Sequence, residues 1–296
     1  MTGDERADGE ERAGGEERAG GEETHRGARV RRLAPDTVDR IAAGEVVTRP
    51  ARVVGELIDN ALDAAASRVE VAVEGDGTDR IRVADDGRGM SREDARLAVE
   101  RHATSKLAPD GDPVGVASLG FRGEALAAIA EAARLELVTS DGGAVGARVV
   151  ADGTTSAPDD AEPTVTSAGR ARGTTVTVEE LFASRPARRE SLAGTAAEFA
   201  RVSALVADYA LANPGVAFTL DHDGSRTLST PGSGITEALL GVYDRETASR
   251  STELTASATV RTAENNGGDT SIDVDGALVY PSVTRASRDH VRVSVN

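Results

Sequence analysis

The sequence predicts an α+β fold built from more than one unit. Residues 50–66 (PARVVGELIDNALDAAA) place apolar side chains at helical spacing, and two short alternating runs follow at once. Helix-like and strand-like segments then mix irregularly until the pattern restarts after Pro214. At 296 residues the chain also exceeds a typical single domain, so two folded units are expected.

The first 28 residues are low in complexity. Gly9–Gly14 (GEERAG) recurs as Gly15–Gly20, with degraded copies on either side, and alanine is the only apolar residue in the repeat. Such a segment buries too little surface to offset its ordering entropy, so residues 1–28 are expected to be disordered. A six-residue β-solenoid is the alternative, and it would need larger apolar residues facing inward.

Ordered sequence is expected from about Val30. In the helix at 50–66, Pro50 suits the first turn, and Val53, Val54, Leu57, Ile58, Ala61, Leu62 and Ala65 share one face. Glu56, Asn60 and Asp63 fall on the opposite side. Val69–Val73 and Ile81–Val83, separated by the turn-rich Gly75–Asp79, read as a β-hairpin. Ser91 is placed to cap a helix reaching about Arg101, with Asp94 near its first turn. Residues 103–119 read as a mobile loop and Gly123–Ala132 as a helix. Leu135–Thr139, Ala147–Val150 and Thr174–Val178 are strand-like, and an amphipathic helix spans about Thr195–Ala212. Beyond Pro214 come strands at Val216–Asp221 and Arg226–Ser229, a helix near Ile235–Tyr243 and scattered strands. The domain boundary is placed near residue 222. The chain ends inside a strand-like run, Val293–Asn296, so a truncated sequence is expected.

Composition narrows the function classes. Hydrophobic residues make up 39% but aromatics only 2%, so the cores rest on Ala, Val, Leu and Ile. No apolar run is long enough to span a membrane, and no signal-peptide pattern opens the chain. The chain has no cysteine, which excludes a disulfide scaffold or a Cys-ligated metal. A cytoplasmic protein is expected. The net charge is -16, and Lys106 is the only lysine among 34 basic residues. Salt adaptation, as in a halophile, explains an acidic surface of this kind. A GC-rich genome is the other reading of the Arg-for-Lys bias.

Three clusters carry chemistry. In the stripe Glu56, Asn60 and Asp63, a neutral amide oxygen suits Mg²⁺ beside phosphate, and a carboxylate one turn away suits activation of water. By itself this stripe reads first as a solvated helix face. In Asp85-Asp86-Gly87-Arg88-Gly89-Met90, Asp85 can accept from an exocyclic amine, and the glycines let backbone pass close to a flat ring. Alone it is also an ordinary acidic turn. In Gly120–Leu126 (GFRGEAL), glycines lead into a helix and can cradle phosphate. No Walker A, His-rich or G-x-S-x-G pattern is present.

The order of these clusters resembles the GHKL ATPases, and the longer strings resemble the MutL mismatch-repair family within them. Those strings are IAAGEVV at Ile41–Val47, Arg49-Pro50, DNALDA at Asp59–Ala64, RHATSK at Arg101–Lys106 and SLGFRGEAL at Ser118–Leu126. The resemblance covers about residues 31–220 and then fades. It implies a GHKL-type sandwich, a mixed sheet covered by helices, over residues 29–222. An incomplete α/β transducer-like domain is implied over residues 223–296.

By the same resemblance, Glu56 is the general base, Asn60 the Mg²⁺ ligand and Asp63 part of the pocket. Asp85 binds the adenine amino group, with Gly87 and Gly89 as the floor and Thr174, after Gly173, beside the base. Gly120, Arg122 and Gly123 belong to the phosphate lid, with Thr104 and Lys106 in the same loop. The cofactors implied are ATP and Mg²⁺. The function implied is an ATP-gated clamp in DNA mismatch repair, with DNA, a MutS-type recognition protein and a second copy of the chain as partners. Another GHKL ATPase, such as a type II topoisomerase subunit, or a hydrolysis-deficient paralogue are the alternatives.

The sequence departs from the family pattern in places. Asp86 stands where Asn is usual and Ala65 where Gly is usual. Only Pro186-Ala187-Arg188 remains of the motif at Phe182–Leu192. The second-domain lysine and the dimerisation domain of the family lie beyond Asn296.

Overall fold

The computed structural model describes residues 31–32, 47–100, 103–104, 125–154, 163–261, 269–284 and 292–294. In chain order the elements are β1 (Arg31–Arg32), α1 (Pro50–Asp63), β2 (Arg68–Glu74), β3 (Arg80–Asp85), α2 (Arg92–Ala98) and β4 (Ala103–Thr104). They continue with α3 (Ala125–Ala132), β5 (Arg134–Ser140), β6 (Gly146–Asp152), β7 (Thr164–Ala168), β8 (Gly173–Glu179), α4 (Pro186–Glu190) and α5 (Thr195–Ala212). Last come β9 (Ala217–His222), β10 (Ser225–Pro231), α6 (Ile235–Val242), α7 (Arg245–Ser249), β11 (Ser251–Arg261) and β12 (Asp269–Val279). No helix among the described residues is long and apolar enough to cross a membrane.

Eight strands form one sheet in the order β10-β9-β2-β3-β8-β5-β6-β7. Only β2 and β9 pair in parallel, so the sheet is mixed and the class is α+β, as expected. Its registers align one apolar residue from every strand: Leu228, Leu220, Val71, Val83, Val176, Leu137, Val149 and Val165. All but Val165, on the edge strand, are buried. This row is the floor of the core, and α1, α2, α3 and α5 pack over it. The opposite face is polar. Arg80, Glu179 and Arg134 lie side by side across β3, β8 and β5 with alternating charge, at ion-pair distances of 3.8 and 4.0 Å.

The hairpin read at residues 69–83 is β2–β3, and Ser91 caps α2 by accepting the Asp94 amide at 3.2 Å. The boundary expected near residue 222 falls at the turn of a second hairpin. There β10 pairs back onto β9, so the large sheet runs on to Pro231. Among the described residues, β11 and β12 pair only with each other, in an eleven-residue ribbon.

Candidate nucleotide site

The three polar residues of the stripe lie where the periodicity puts them. Val53, Val54, Leu57, Ile58 and Ala61 bury one side of α1 against the sheet, while Glu56, Asn60 and Asp63 sit half-buried on another. Arg52, one turn before Glu56, brings Nη2 within 2.6 Å of the Glu56 Oε1. Asn60 contributes an amide oxygen and Asp63 a carboxylate. These are hard oxygen donors of the kind Mg²⁺ takes, in the small number it takes from protein when phosphate supplies the rest, so the donor set fits the ion.

Asp85 closes β3, and the sheet register explains its environment. It follows Val83 by two residues and therefore faces the helices, in one cross-sheet row with Thr174 on β8 and Thr139 on β5. This row is a polar step in an otherwise apolar face. The Asp85 Oδ1 accepts the Gly87 amide at 2.9 Å and the Thr174 amide at 3.3 Å, leaving Oδ2 without a hydrogen bond among the described residues. Burial pushes the Asp85 carboxyl above its usual value, against the opposing pull of those two amides and of the Arg170 charge. Arg170 Nη2 also donates to the Asp85 main-chain oxygen at 2.7 Å.

Thr139, by sequence only the end of a strand-like run, joins the parts. It is fully buried; its Oγ1 accepts the Met90 amide at 3.0 Å, lies 3.1 Å from the Gly173 oxygen and is 3.0 Å from Thr174 Oγ1. One hydroxyl thereby ties the Asp85–Met90 loop to two strands. A buried Thr in a strand carries no separate signal in sequence; only the pairing of β5 with β8 shows its place.

The loop glycines are explained by packing. A Cβ on Gly87 would stand 2.8 Å from both Cβ and O of Ala64, at the end of α1. Gly89 has φ +65 and a Cβ there would collide with the Ser140 backbone; one on Gly173, at φ +121, would collide with the Asp85 oxygen. The loop is thus pressed against α1 on one side and β5 on the other. The Arg88 amide donates a hydrogen bond to the Ala64 oxygen at 2.9 Å.

Of the departures noted in the sequence, Asp86 has a clear structural job. Its Oδ1 accepts the amides of Ser67 at 2.8 Å and Arg68 at 2.9 Å, and its Oδ2 accepts the Ser67 hydroxyl at 2.6 Å. Partial burial works the other way, but these bonds hold the Asp86 carboxyl below its usual value. Ala65 takes a left-handed conformation, φ 55, just past the end of α1. Arg188 of the retained Pro-Ala-Arg core donates to the Val47 oxygen at 2.5 Å, fastening α4 to the segment before α1.

Thr104 is described through its backbone, paired with Arg31 in the short β1–β4 sheet. Lys106, Gly120, Arg122 and Gly123, the expected lid, lie outside the described residues, as do the acidic tail and Ile41–Val46.

Known proteins share the sequence and fold of this chain. The family model described as histidine kinase-, DNA gyrase B- and HSP90-like ATPase matches residues 48–170. The DNA mismatch repair protein MutL of Halobacterium salinarum is 46% identical over 272 residues, covering 90% of this chain. That of Geobacillus thermodenitrificans is 40% identical over 269 residues, again covering 90%. The chain spans 39% of the length of each. Among solved structures, the Aquifex aeolicus MutL ATPase domain complexed with ADP matches with 27% identity and a TM-score of 0.56, over 74% of this chain and 80% of that one. The N-terminal domain of a DNA repair protein matches with 25% identity and a TM-score of 0.68, over 85% and 74%. The family model, the curated relatives and the solved ATPase domain agree: the chain belongs to the MutL family of GHKL ATPases, whose N-terminal part it represents.

Proposed function

We propose that this chain is the part of a DNA mismatch repair protein that binds and hydrolyses ATP. The observation that carries the reading is the placement of two chemistries along one helix. The Asp85 loop is packed on the end of α1 at Ala64, and Glu56 lies eight residues earlier. That is about 12 Å of helix, the scale of an extended nucleoside triphosphate. A base held at Asp85 therefore directs its phosphates toward Asn60 and Glu56.

In this reading the Asp85 Oδ2 accepts from the adenine amino group, while the Gly87 and Thr174 amides hold the carboxylate in place. Asn60 holds Mg²⁺ beside the phosphates; bound there, the ion offsets phosphate charge. Glu56 orients a water and takes its proton as the water oxygen bonds to the terminal phosphorus and the bond to the bridging oxygen breaks. By resemblance to the family, Thr104, Lys106, Gly120, Arg122 and Gly123 are assigned to the phosphates. In the whole protein ATP binding pairs two such regions and hydrolysis releases them, in the cytoplasm, with DNA and a MutS-type protein as partners.

The test is Glu56→Ala, with ATP affinity measured by calorimetry and phosphate release by single-turnover assay, in this chain and in the full-length protein that carries it. Affinity should stay within about threefold and release should fall at least a hundredfold, because the base acts in the transition state. Unchanged release would remove Glu56 from the mechanism.

A further inference from the structure

Helix α5 runs beside α1 and holds it at two points. At the first, Arg49, the N-cap of α1, has its Nη1 3.7 Å from the carboxylate of Glu198 near the start of α5. Glu198 is fully buried, and its Oε1 also meets Arg201 and accepts the Ala193 amide at 3.0 Å. At the second, Tyr209 Oη donates to Asp59 Oδ1 at 2.6 Å.

The two anchors match in length. Arg49 to Asp59 and Glu198 to Tyr209 are ten and eleven residues, about 15 and 16 Å of helix, so α1 and α5 run parallel and in step. Between the anchors the helices approach closely at Gly55, where a Cβ would meet Leu205 Cδ2 at 3.4 Å and Tyr209 Oη at 3.8 Å. Burial, the bond to Asp59 and the negative charges of Asp59 and Glu56 push the Tyr209 phenol far above its usual value. It is therefore a donor at any working pH.

Asp59 immediately precedes Asn60 and follows Glu56 by three residues. Any slide or turn of α1 at Asp59 moves both functional groups. We infer that Tyr209 and Asp59 are positioning residues, whose hydrogen bond sets the register of α1 on α5 and thereby the places of Glu56 and Asn60. The inference rests on the roles proposed above for those two residues.

Tyr209→Phe keeps the ring and its packing and removes only the donor. ATP affinity should be measured with Mg²⁺ and with EDTA, alongside single-turnover phosphate release. We expect affinity in EDTA within twofold of the parent, the Mg²⁺-dependent gain in affinity reduced about tenfold, and release reduced at least tenfold. A displacement near 1 Å is enough to cost about a hundredfold in rate. Asp59→Asn, which keeps an acceptor, should retain near-parental values, whereas Asp59→Ala should lose at least as much as Tyr209→Phe. The double variant Tyr209→Phe/Asp59→Ala should be no worse than Asp59→Ala alone.

A parental Mg²⁺-dependent gain in Tyr209→Phe, or equal losses with and without Mg²⁺, would overturn the inference. If Tyr209→Phe does not fold, the contrast between Asp59→Asn and Asp59→Ala decides the same point, and equal behaviour of those two overturns it. Asn60→Ala is the separate control on the site. If it leaves the Mg²⁺-dependent gain intact, the Mg²⁺ role of Asn60 fails first, and the inference falls with it.

Discussion

Asp85 and Asp86 are neighbours in sequence with opposite electrostatics, and the sheet is the reason. Asp85 ends β3 facing the helices, where burial raises its carboxyl; Asp86 turns outward to the amides at the start of β2, which lower it. Asp85→Asn should weaken ATP binding by about 1.5–3 kcal/mol, since it removes the charge from the proposed bond to the base and turns an acceptor into a possible donor. Calorimetry is the measure, and equal affinity would mean that the base is read elsewhere. For Asp86 the expected effect is on stability. Its folded value lies below the ordinary 3.8, so its contribution is complete above that pH and is lost as pH falls through the depressed value. Asp86→Asn should therefore flatten the acid limb of a urea-denaturation series run from about pH 3 to 7. An unchanged acid limb would show that Ser67 and Arg68 do not hold the charge.

At the scale of elements, sequence legibility follows burial pattern. The helix at 50–66 and the hairpin after it were readable because their apolar residues keep periods of 3.6 and 2 across strongly buried faces. β7 was not, because Thr164–Ala168 is an edge strand with one large apolar residue, Val165. The polar row Asp85, Thr174 and Thr139 was legible only at its first two members, through resemblance. Its third belongs to a strand whose neighbour is set by long-range pairing.

α1 ends about a turn earlier than the apolar periodicity predicts. Alanine favours helix, yet the helix closes at Asp63, with Ala66 bonding back to the Ala61 oxygen and Ala65 to Leu62, the pattern of a Schellman cap. Ala65 pays for this with a left-handed backbone. Ala65→Gly removes about 1–2 kcal/mol of steric cost. It also adds about 0.4–1 kcal/mol of unfolded-state entropy. The net should be roughly 0.5–1 kcal/mol of added stability, read as a higher urea midpoint at unchanged slope. A lower midpoint would mean that the turn is not strained at Ala65.

For the molecule as a whole the decisive quantity is charge. Fifty acidic residues against 34 basic ones leave -16 on a 30.5 kDa chain. Two effects of salt oppose each other. Added salt weakens attractive surface pairs such as Arg80 with Glu74 and Glu179, and Arg148 with Glu136. It also screens the repulsion among the excess carboxylates. The pairs are partly exposed, and exposed pairs are each worth about 0–1 kcal/mol, so their loss is small. The repulsion acts over the whole surface, and the screening length falls from about 10 Å at 0.1 M to about 3 Å at 1 M salt. Screening of repulsion should win. The melting temperature is expected to rise by several degrees between 0.1 and 1 M KCl, with tetramethylammonium chloride acting similarly because the effect is electrostatic rather than ion-specific. Residues 1–296 and a version lacking the acidic residues 1–28 should both show it, the shorter one less steeply. A melting temperature that falls with salt would show that the surface pairs, not the net charge, dominate this fold.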